Sequence, residues 1–283
     1  MSLLTISLSA QEEIKDSTNW KFGGLGSIAF SQVSLYQWAA GGEPSMSAAA
    51  LFNVFANYKT DETSWINTLD LGYGLIRQGD LTKKSNDRIE FTSQYGRKAS
   101  AKWFYSAMLN AKTQFADGYN YPNDSVAIST FMAPGYLTAS IGMDYKPNDK
   151  LQVFISPVTG KLTFVLDDDL SAAGNFGVDP GKKFRAEIGG YAKISYATAL
   201  MENVDFKTKI DLFANYLKMS ALKDVDVNWE VLIGMKINEY LSATLNTIMI
   251  WDNDIKVQKE GVTDPEPGIQ LKEVFGVGLS YKF

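Results

Sequence analysis

The sequence predicts an all-β protein, a transmembrane up-and-down antiparallel β-barrel of about 12 strands. Three observations lead to this prediction. Apolar and polar residues alternate with a period of two, short and long connections alternate along the chain, and aromatic residues collect near both ends of the strands. All three are typical of a barrel with a lipid-facing exterior and a polar interior.

The period of two runs through the chain from Asn19 onward, and Ala101–Phe115 shows it well. Its polar face is interrupted by Phe104 and Met108, whereas its other face carries Trp103, Tyr105, Ala107, Leu109, Ala111, Thr113 and Phe115. A helix would mix these two sets, but a strand separates them. About 12 such segments begin near Asn19, Met46, Trp65, Arg88, Ala101, Tyr136, Leu151, Lys183, Val204, Asp226, Tyr240 and Gln270.

The predicted connections alternate in length. Short turns are expected at Thr60–Thr63, Gly96–Ser100, Pro147–Lys150, Leu200–Asn203 and Asn238–Glu239. Longer loops are expected at Ser34–Ser45, Gly79–Asp87, Ala116–Gly135, Pro157–Lys182, Lys218–Val225 and Asn253–Ile269. An even number of strands then places both termini at the short-turn rim, which in a bacterial outer membrane faces the periplasm.

Aromatic residues near the predicted turns and loops form two sets, as at the two interfaces of a bilayer. Tyr58, Trp65, Trp103, Tyr145, Tyr196, Phe206 and Tyr240 lie near short turns, and Phe115, Phe184, Tyr216, Trp229 and Trp251 lie near long loops. The alternative is a soluble β-sandwich or lipocalin-like barrel. Strands of about 12–16 residues and one-sided loop lengths favour the membrane barrel.

Composition excludes several functions. The 283 residues carry a formal net charge of −5 without a basic face, which argues against nucleic-acid binding. Without Cys or His, the chain lacks disulfides, thiolate or imidazole metal sites and Ser-His-Asp catalysis. We therefore expect no enzyme, no cofactor and no metal, although a pair such as Ser195 and Lys193 is a conceivable dyad.

Residues 1–18 are interpreted as a signal-peptide remnant and periplasmic leader, and residues 19–283 as the barrel. Met1–Gln11 is apolar and ends in small residues, like the end of a secretory signal cut after Ala10, but it has no basic n-region. A disordered leader is the alternative.

The polar face predicts a lumen lined by charges of both signs. The candidates are Asp70, Arg88, Glu90, Lys102, Lys112, Asp144, Arg185, Glu187, Lys193, Lys207, Lys209, Asp211, Glu230 and Lys236, with Asp252 and Lys272 on the same face. A 12-stranded barrel lies between small barrels filled by side chains and porins with an aqueous channel. These charges therefore either line a narrow wet pore or pair across the lumen and close it.

The first long loop contains Trp38, Gly41 and Gly42, which suggest a loop that folds into the lumen or onto a partner. A tight turn with Trp38 packed at the rim is the alternative. Carboxylates in Asp167–Asp169 and in Asp252 and Asp254 could bind Ca²⁺, but a solvated acidic loop explains them as well.

The closing strand resembles the assembly signal of outer-membrane barrels. Gly278, Tyr281 and the terminal Phe283 fit it, although Gly276 stands where a polar residue is more usual. The resemblance implies recognition by the barrel-assembly machinery.

Nearly the whole chain resembles a Bacteroidota outer-membrane family known only as a domain of unknown function. The stretches that carry this resemblance are Gln37–Gly42, Gln114–Tyr119, Ala133–Tyr136, Asp144–Pro147, Ser156–Lys161, Gly177–Lys182, Asp252–Asp254 and Gly278–Phe283. The family brings no biochemical activity with it. We expect an outer-membrane barrel that passes small polar solutes or ions through a narrow channel, or else a plugged accessory barrel in a larger envelope complex with other envelope proteins.

Overall fold

The computed structural model describes residues 19–35, 43–257 and 266–283, and they form a closed antiparallel barrel of 12 strands. The wall strands are β1 (Trp20–Val33), β2 (Ser45–Lys59), β3 (Thr63–Gln78), β4 (Leu81–Lys98), β5 (Trp103–Thr113), β6 (Gly135–Tyr145), β7 (Leu151–Phe164), β8 (Phe184–Met201), β9 (Val204–Asn215), β10 (Val225–Lys236), β11 (Leu241–Trp251) and β12 (Gln270–Lys282). Each strand pairs with its neighbours in sequence, and β12 pairs with β1 to close the ring. The all-β fold class and the strand number are confirmed.

The exterior of the barrel is apolar. Ile141, for example, points outward from β6 with 69% of its surface exposed, and Tyr105 and Ile155 are exposed on the neighbouring strands. Aromatic side chains cluster at the short-turn rim, where the ring of Trp65 lies 5.6 Å from that of Trp20. This surface matches the lipid-facing band expected from the alternation.

Two predicted loops are wrong, because the strands continue through them. The expected Gly79–Asp87 loop is a tight turn at Gly79 and Asp80, with φ of +58° at Gly79. The expected Pro157–Lys182 loop begins only after Phe164. Pro157 lies at a β-bulge, where the register shifts against both neighbouring strands, so its missing N–H leaves the ladder intact.

The remaining elements are short and lie at the long-loop rim. Helix α1 (Asp168–Ala172) and a 3₁₀ turn at Asn175–Gly177 follow β7, and a second 3₁₀ turn spans Leu222–Asp224. Two-residue ribbons join Gly118–Tyr119 to Ala127–Ser129, and Lys256–Val257 to Glu266–Pro267. None of the helices among the described residues is long and apolar enough to cross a membrane.

A small hydrophobic cluster holds the loop after β7 against the loop after β5. Val165, Leu170 and Val178 pack with Ala133, and all four are buried. The backbone N–H of Leu166 also donates to the carbonyl of Met132 at 3.1 Å. Together these contacts fix both loops over one side of the barrel mouth.

The predicted leader, residues 1–18, lies outside the described residues, as do Trp38, Gly41 and Gly42 of the first outer loop. Those expectations therefore stay predictions.

Candidate functional site: the barrel lumen

Registers between strands fix which side chains face the lumen. Glu90 pairs with Asp70 on β3, Asp70 pairs with Asn53 on β2, and Asn53 pairs with Leu25 on β1. Directly paired residues share one face of a sheet. Because Glu90 contacts residues on the opposite wall, Leu25 and the other members of this row also face inward.

An ion-pair network crosses the lumen at mid-height. Arg88 is on β4 and Glu230 is on β10, and these strands are six positions apart in the ring of 12, which makes them diametrically opposite. The Nη1 atom of Arg88 donates to Oε1 of Glu230 at 3.0 Å, and its Nε donates to Glu90 at 3.0 Å. We call this wall-to-wall connection the Arg88–Glu230 bridge.

Further side chains complete the bridge. The Nζ atom of Lys209 lies 3.6 Å from Glu90 and 3.7 Å from Glu230, so it joins both carboxylates. The side-chain amides of Asn110 and Asn246 each donate to one of these carboxylates at 2.9 Å. Glu90 is 6% exposed. Buried charges of this kind remain in a fold only when they are paired and hydrogen-bonded.

The bridge divides the lumen into two parts of five strands each, and they differ in how tightly they are packed. One part is lined by β5–β9 and is filled by side chains, and we call it the packed half. Phe154 is 0% exposed there, and its ring lies 6.2 Å from that of Tyr191, whose hydroxyl donates to Asp211. Near the short-turn rim, Asp144 accepts hydrogen bonds from Gln94 at 3.1 Å and Gln152 at 2.8 Å.

The other part is lined by β11, β12, β1, β2 and β3, and we call it the open half. Its inward-facing apolar side chains remain exposed: Leu25 by 41%, Leu51 by 42% and Val274 by 36%. Many inward residues in its outer part are small, including Ala29, Ala49, Gly72, Gly74, Gly276 and Gly278. Apart from glycines, the described residues of β12, β1, β2 and β3 include no buried residue.

The packed half is capped at the long-loop rim by a second group of ion pairs. Lys161 of β7 reaches Asp226 of β10 at 2.6 Å and Asp252 at 3.7 Å. Arg185 of β8 bonds Asp254 at 2.7 Å, and Lys218 bonds the same carboxylate at 3.0 Å.

Although partial burial opposes ionisation of Asp254, the hydrogen bond from Lys218 and the charge of Arg185 hold the pKa of Asp254 below its ordinary value. The acidic stretch between β11 and β12 therefore anchors its loop through ion pairs.

The acidic stretch Asp167–Asp169 is also explained by its contacts. Asp167 caps α1 by accepting the backbone N–H of Leu170 at 2.9 Å. Asp168 accepts a hydrogen bond from Lys183, which lowers the pKa of Asp168. No group of three or more His, Cys, Asp or Glu residues that could hold a metal ion occurs in the described ranges.

The structure places the predicted lumen residues in several different surroundings. Arg88, Glu90, Lys209 and Glu230 are brought together in the bridge, whereas Asp70, Asp144, Arg185, Glu187 and Asp211 contact other inward residues. Lys112 pairs in register with Glu90, and Lys193 pairs with Asp211. Lys207 and Lys236 are exposed near the short-turn rim. Lys102 lies in the turn before β5 rather than on the wall, because β5 begins only at Trp103.

Several important residues were not among the sequence-based candidates, notably Asn110, Asn246, Lys161, Asp226 and Lys218. One signal for the packed half was present. Phe104 and Met108 interrupt the polar face of β5, and Met108 is 3% exposed inside the barrel. Bulky apolar residues on the inner face of a strand indicate a filled lumen.

The terminal strand makes its contacts at the seam, the junction between β12 and β1. Gly24 and Phe283 exchange two backbone hydrogen bonds, of 2.9 and 3.1 Å. The Phe283 ring lies over Gly24, where an added Cβ would be 2.4 Å from the ring, and packs 6.1 Å from the ring of Phe52. A Cβ on Gly278 would lie 2.2 Å from the carbonyl oxygen of Ile28. Tyr281 pairs with Gly26, so all three assembly-signal residues also close the barrel.

Comparison with known proteins gives a partial family match. A family described as a protein of unknown function (DUF3078) matches residues 30–119, which is less than half of the chain. That region includes two stretches of the resemblance described above, Gln37–Gly42 and Gln114–Tyr119. No curated protein matches the chain.

Solved structures with a similar fold are bacterial outer-membrane proteins. An outer-membrane channel from Pseudomonas putida F1 is 13% identical, with coverage of 94% of this chain and 95% of that one and a TM-score of 0.41. The NanC porin is 8% identical, with 92% and 100% coverage and a TM-score of 0.40. The translocator domain of the autotransporter NalP from Neisseria meningitidis is 9% identical, with 95% and 90% coverage and a TM-score of 0.36. At such identities a likeness extends to the fold alone.

Proposed function

We propose that the chain is an integral outer-membrane barrel that passes small polar solutes or ions through the open half of its lumen. The apolar exterior, the aromatic side chains at the short-turn rim and the polar interior support a membrane position. The first described strand begins and the last strand ends at the short-turn rim, which we assign to the periplasm. We also assign recognition of the terminal strand to the barrel-assembly machinery.

The observation that carries the proposal is the contrast between the two halves. Phe154 and Asp144 are fully buried in the packed half, whereas inward side chains such as Leu25 and Leu51 remain about two-fifths exposed in the open half. Water therefore reaches much more of the inner wall on the open side of the Arg88–Glu230 bridge than on the packed side. A passage confined to half of a 12-stranded lumen admits ions and small solutes and excludes larger ones.

Single-channel recording in planar bilayers tests this proposal. The protein is expected to give small, regular conductance steps, and Ala49→Trp is expected to reduce them because Ala49 faces the open half. Ala48→Trp is the matched control, since the neighbouring Ala48 is exposed on the outer face. Equal conductance from both variants would contradict a passage along this wall.

A second candidate is an accessory barrel with a closed lumen, and the bridge itself favours it. An ion-pair network that spans opposite strands stabilises the wall whether or not solutes pass beside it. Correctly folded protein without any conductance step, together with stoichiometric envelope partners after purification in mild detergent, would support this candidate over the channel.

A further inference from the structure

The seam is paired over only part of its length. Five residue pairs join β1 and β12, from Leu25–Lys282 to Ala29–Gly278, and the bonds between Gly24 and Phe283 add one more. By contrast, every residue of β1 is paired with β2. The seam is therefore closed toward the short-turn rim and unpaired toward the long-loop rim.

Continuing the register identifies the missing pairs. Phe30 would face Val277 and Val33 would face Val274, but neither pair forms, although all four residues are described strand residues. Gly24 and Phe283 exchange both of their hydrogen bonds, so even-numbered residues of β1 direct their N–H and C=O groups toward β12. The backbone groups of Phe30 and Gln32 consequently face the unpaired part of the seam.

Such groups would be costly against hydrocarbon, because lipid offers them no hydrogen-bond partner. A water-accessible space on the inner side of the wall relieves that cost. The open half is such a space, and it borders the seam directly. The unpaired part of the seam thus lies between the open half and the lipid-facing surface.

The inner surface beside the seam has a distinctive chemistry. Ala29 and Gly276 are small, with an added Cβ on Gly276 falling 3.4 Å from Ala29, and Val274 leaves an apolar side chain exposed. Lys272 lies two residues farther toward the long-loop rim on the same face, and its Nζ extends across the open half to donate to Oδ1 of Asn86 on β4 at 2.9 Å. An apolar path with a cation at its outer end suits a molecule with one apolar chain and an anionic head group.

We propose that the unpaired part of the seam is a lateral opening through which a single-chain anionic amphiphile moves between the open half and the membrane. Its head group is held by Lys272 and its chain lies along Val274 and Gly276. The proposal rests on the open half described above, but it does not require that ions pass through the lumen.

Disulfide trapping tests the opening, and the absence of native Cys makes the experiment direct. Ser27→Cys with Ser280→Cys places two inward-facing thiols in the paired part of the seam, where facing Cα atoms are close enough for a disulfide. Ser31→Cys with Gly276→Cys is the equivalent double variant in the unpaired part of the seam, two residues beyond the last pair, Ala29–Gly278. In lipid vesicles under oxidising conditions, the first double variant is expected to form its disulfide readily. The second double variant is expected not to form one.

Labelling from the lipid phase provides the second readout of the opening. N-dodecylmaleimide dissolved in the vesicles is expected to modify Gly276→Cys and to leave Ser280→Cys unmodified. Equally rapid oxidation of both double variants would show a fully paired seam and overturn the proposal. So would equal protection of both single variants from the maleimide.

Binding of radiolabelled dodecanoate to the protein in phosphatidylcholine nanodiscs tests the ligand class. Saturable binding is expected, weakened about fivefold by Lys272→Met and unchanged by Lys236→Met, a loss of the same charge at the opposite rim. Dodecanol is expected to compete poorly because it lacks the anionic head.

An open seam without saturable dodecanoate binding would overturn the amphiphile assignment and point to an added β-strand as the occupant of the free edges. Because the binding assay requires no conductance, its failure is separate from failure of the channel proposal.

Discussion

Replacing Arg88 with Met is expected to destabilise the barrel and to widen its passage. The guanidinium lies 2.5 Å from the carboxylate of Glu90 and 3.0 Å from that of Glu230. At an effective dielectric constant of about 20, each contact is worth roughly 5 kcal/mol of Coulomb energy, much of which offsets the desolvation of the charges. Removing one partner from a buried network costs about 3–5 kcal/mol.

We expect a loss near the lower end of that range, because Lys209 remains within 4 Å of both carboxylates. Denaturant unfolding in lipid vesicles measures the free-energy change, and planar-bilayer recording measures the expected increase in conductance. Lys207→Met is the control. It removes a cation from the same face of β9, at an exposed position for which the described residues supply no ion-pair partner.

A double variant distinguishes the bridge from a general loss of charge. Arg88→Met combined with Glu230→Met removes one charge of each sign, so it is expected to be less destabilised than the sum of the two single variants. Additive effects, or an Arg88→Met variant within about 0.5 kcal/mol of the parent protein with unchanged conductance, would refute the reasoning.

Three further outcomes follow from local geometry. Gly278→Ala is expected to cost about 1–3 kcal/mol in thermal unfolding because its Cβ would collide with a backbone carbonyl, whereas Gly276→Ala, with ordinary contacts, should be nearly neutral. Because the folded-state pKa of Asp254 is below its ordinary value of about 4, ionised Asp254 stabilises the residues around it at pH values above about 4. That stabilisation is lost as the pH falls through the lower folded-state pKa. Amide hydrogen exchange around Asp254 should therefore accelerate below about pH 4, and Asp254→Asn should abolish this pH dependence. Leu170→Ala should cost about 2–3 kcal/mol and expose the outer loops to protease, whereas Leu166→Ala, at a half-exposed position, should not.

The wall of the barrel was predictable from the sequence because lipid and lumen impose opposite polarities on neighbouring residues. Polarity does not alternate where both faces of a strand are exposed to water, so a strand is not predicted there. Lys83–Asp87 carries polar residues on both faces, and the sequence therefore predicts a loop there. In the structure these residues extend β4 at the long-loop rim. The loop predicted to begin at Pro157 fails for another reason, because a bulge accommodates the proline within β7.

The interior was predictable only as a set of charges on one face. Which charges meet depends on the closure of the ring, since Arg88 and Glu230 are 142 residues apart and become neighbours only when β4 and β10 lie opposite each other. Whether the lumen is a lined pore or is filled also depends on the size of the inward-facing side chains. Met108, Phe154 and Tyr191 occupy the inner face on one side of the barrel, whereas the outer part of the other side carries small residues such as Ala49, Gly72 and Gly276. The alternation of polarity alone does not reveal this asymmetry.

The Arg88–Glu230 bridge also has a mechanical consequence. A ring tied across one diameter resists flattening along that diameter, and the packed half stiffens the arc on its own side. The other arc is crossed by the Lys272–Asn86 hydrogen bond, and Ala29, Gly276 and Gly278 supply little side-chain bulk where the first and last strands meet. In a bilayer, lateral pressure is therefore expected to deform this arc more than the packed one. For the membrane position proposed above, we expect the junction of the first and last strands to be the part of the wall whose width responds to bilayer thickness and tension.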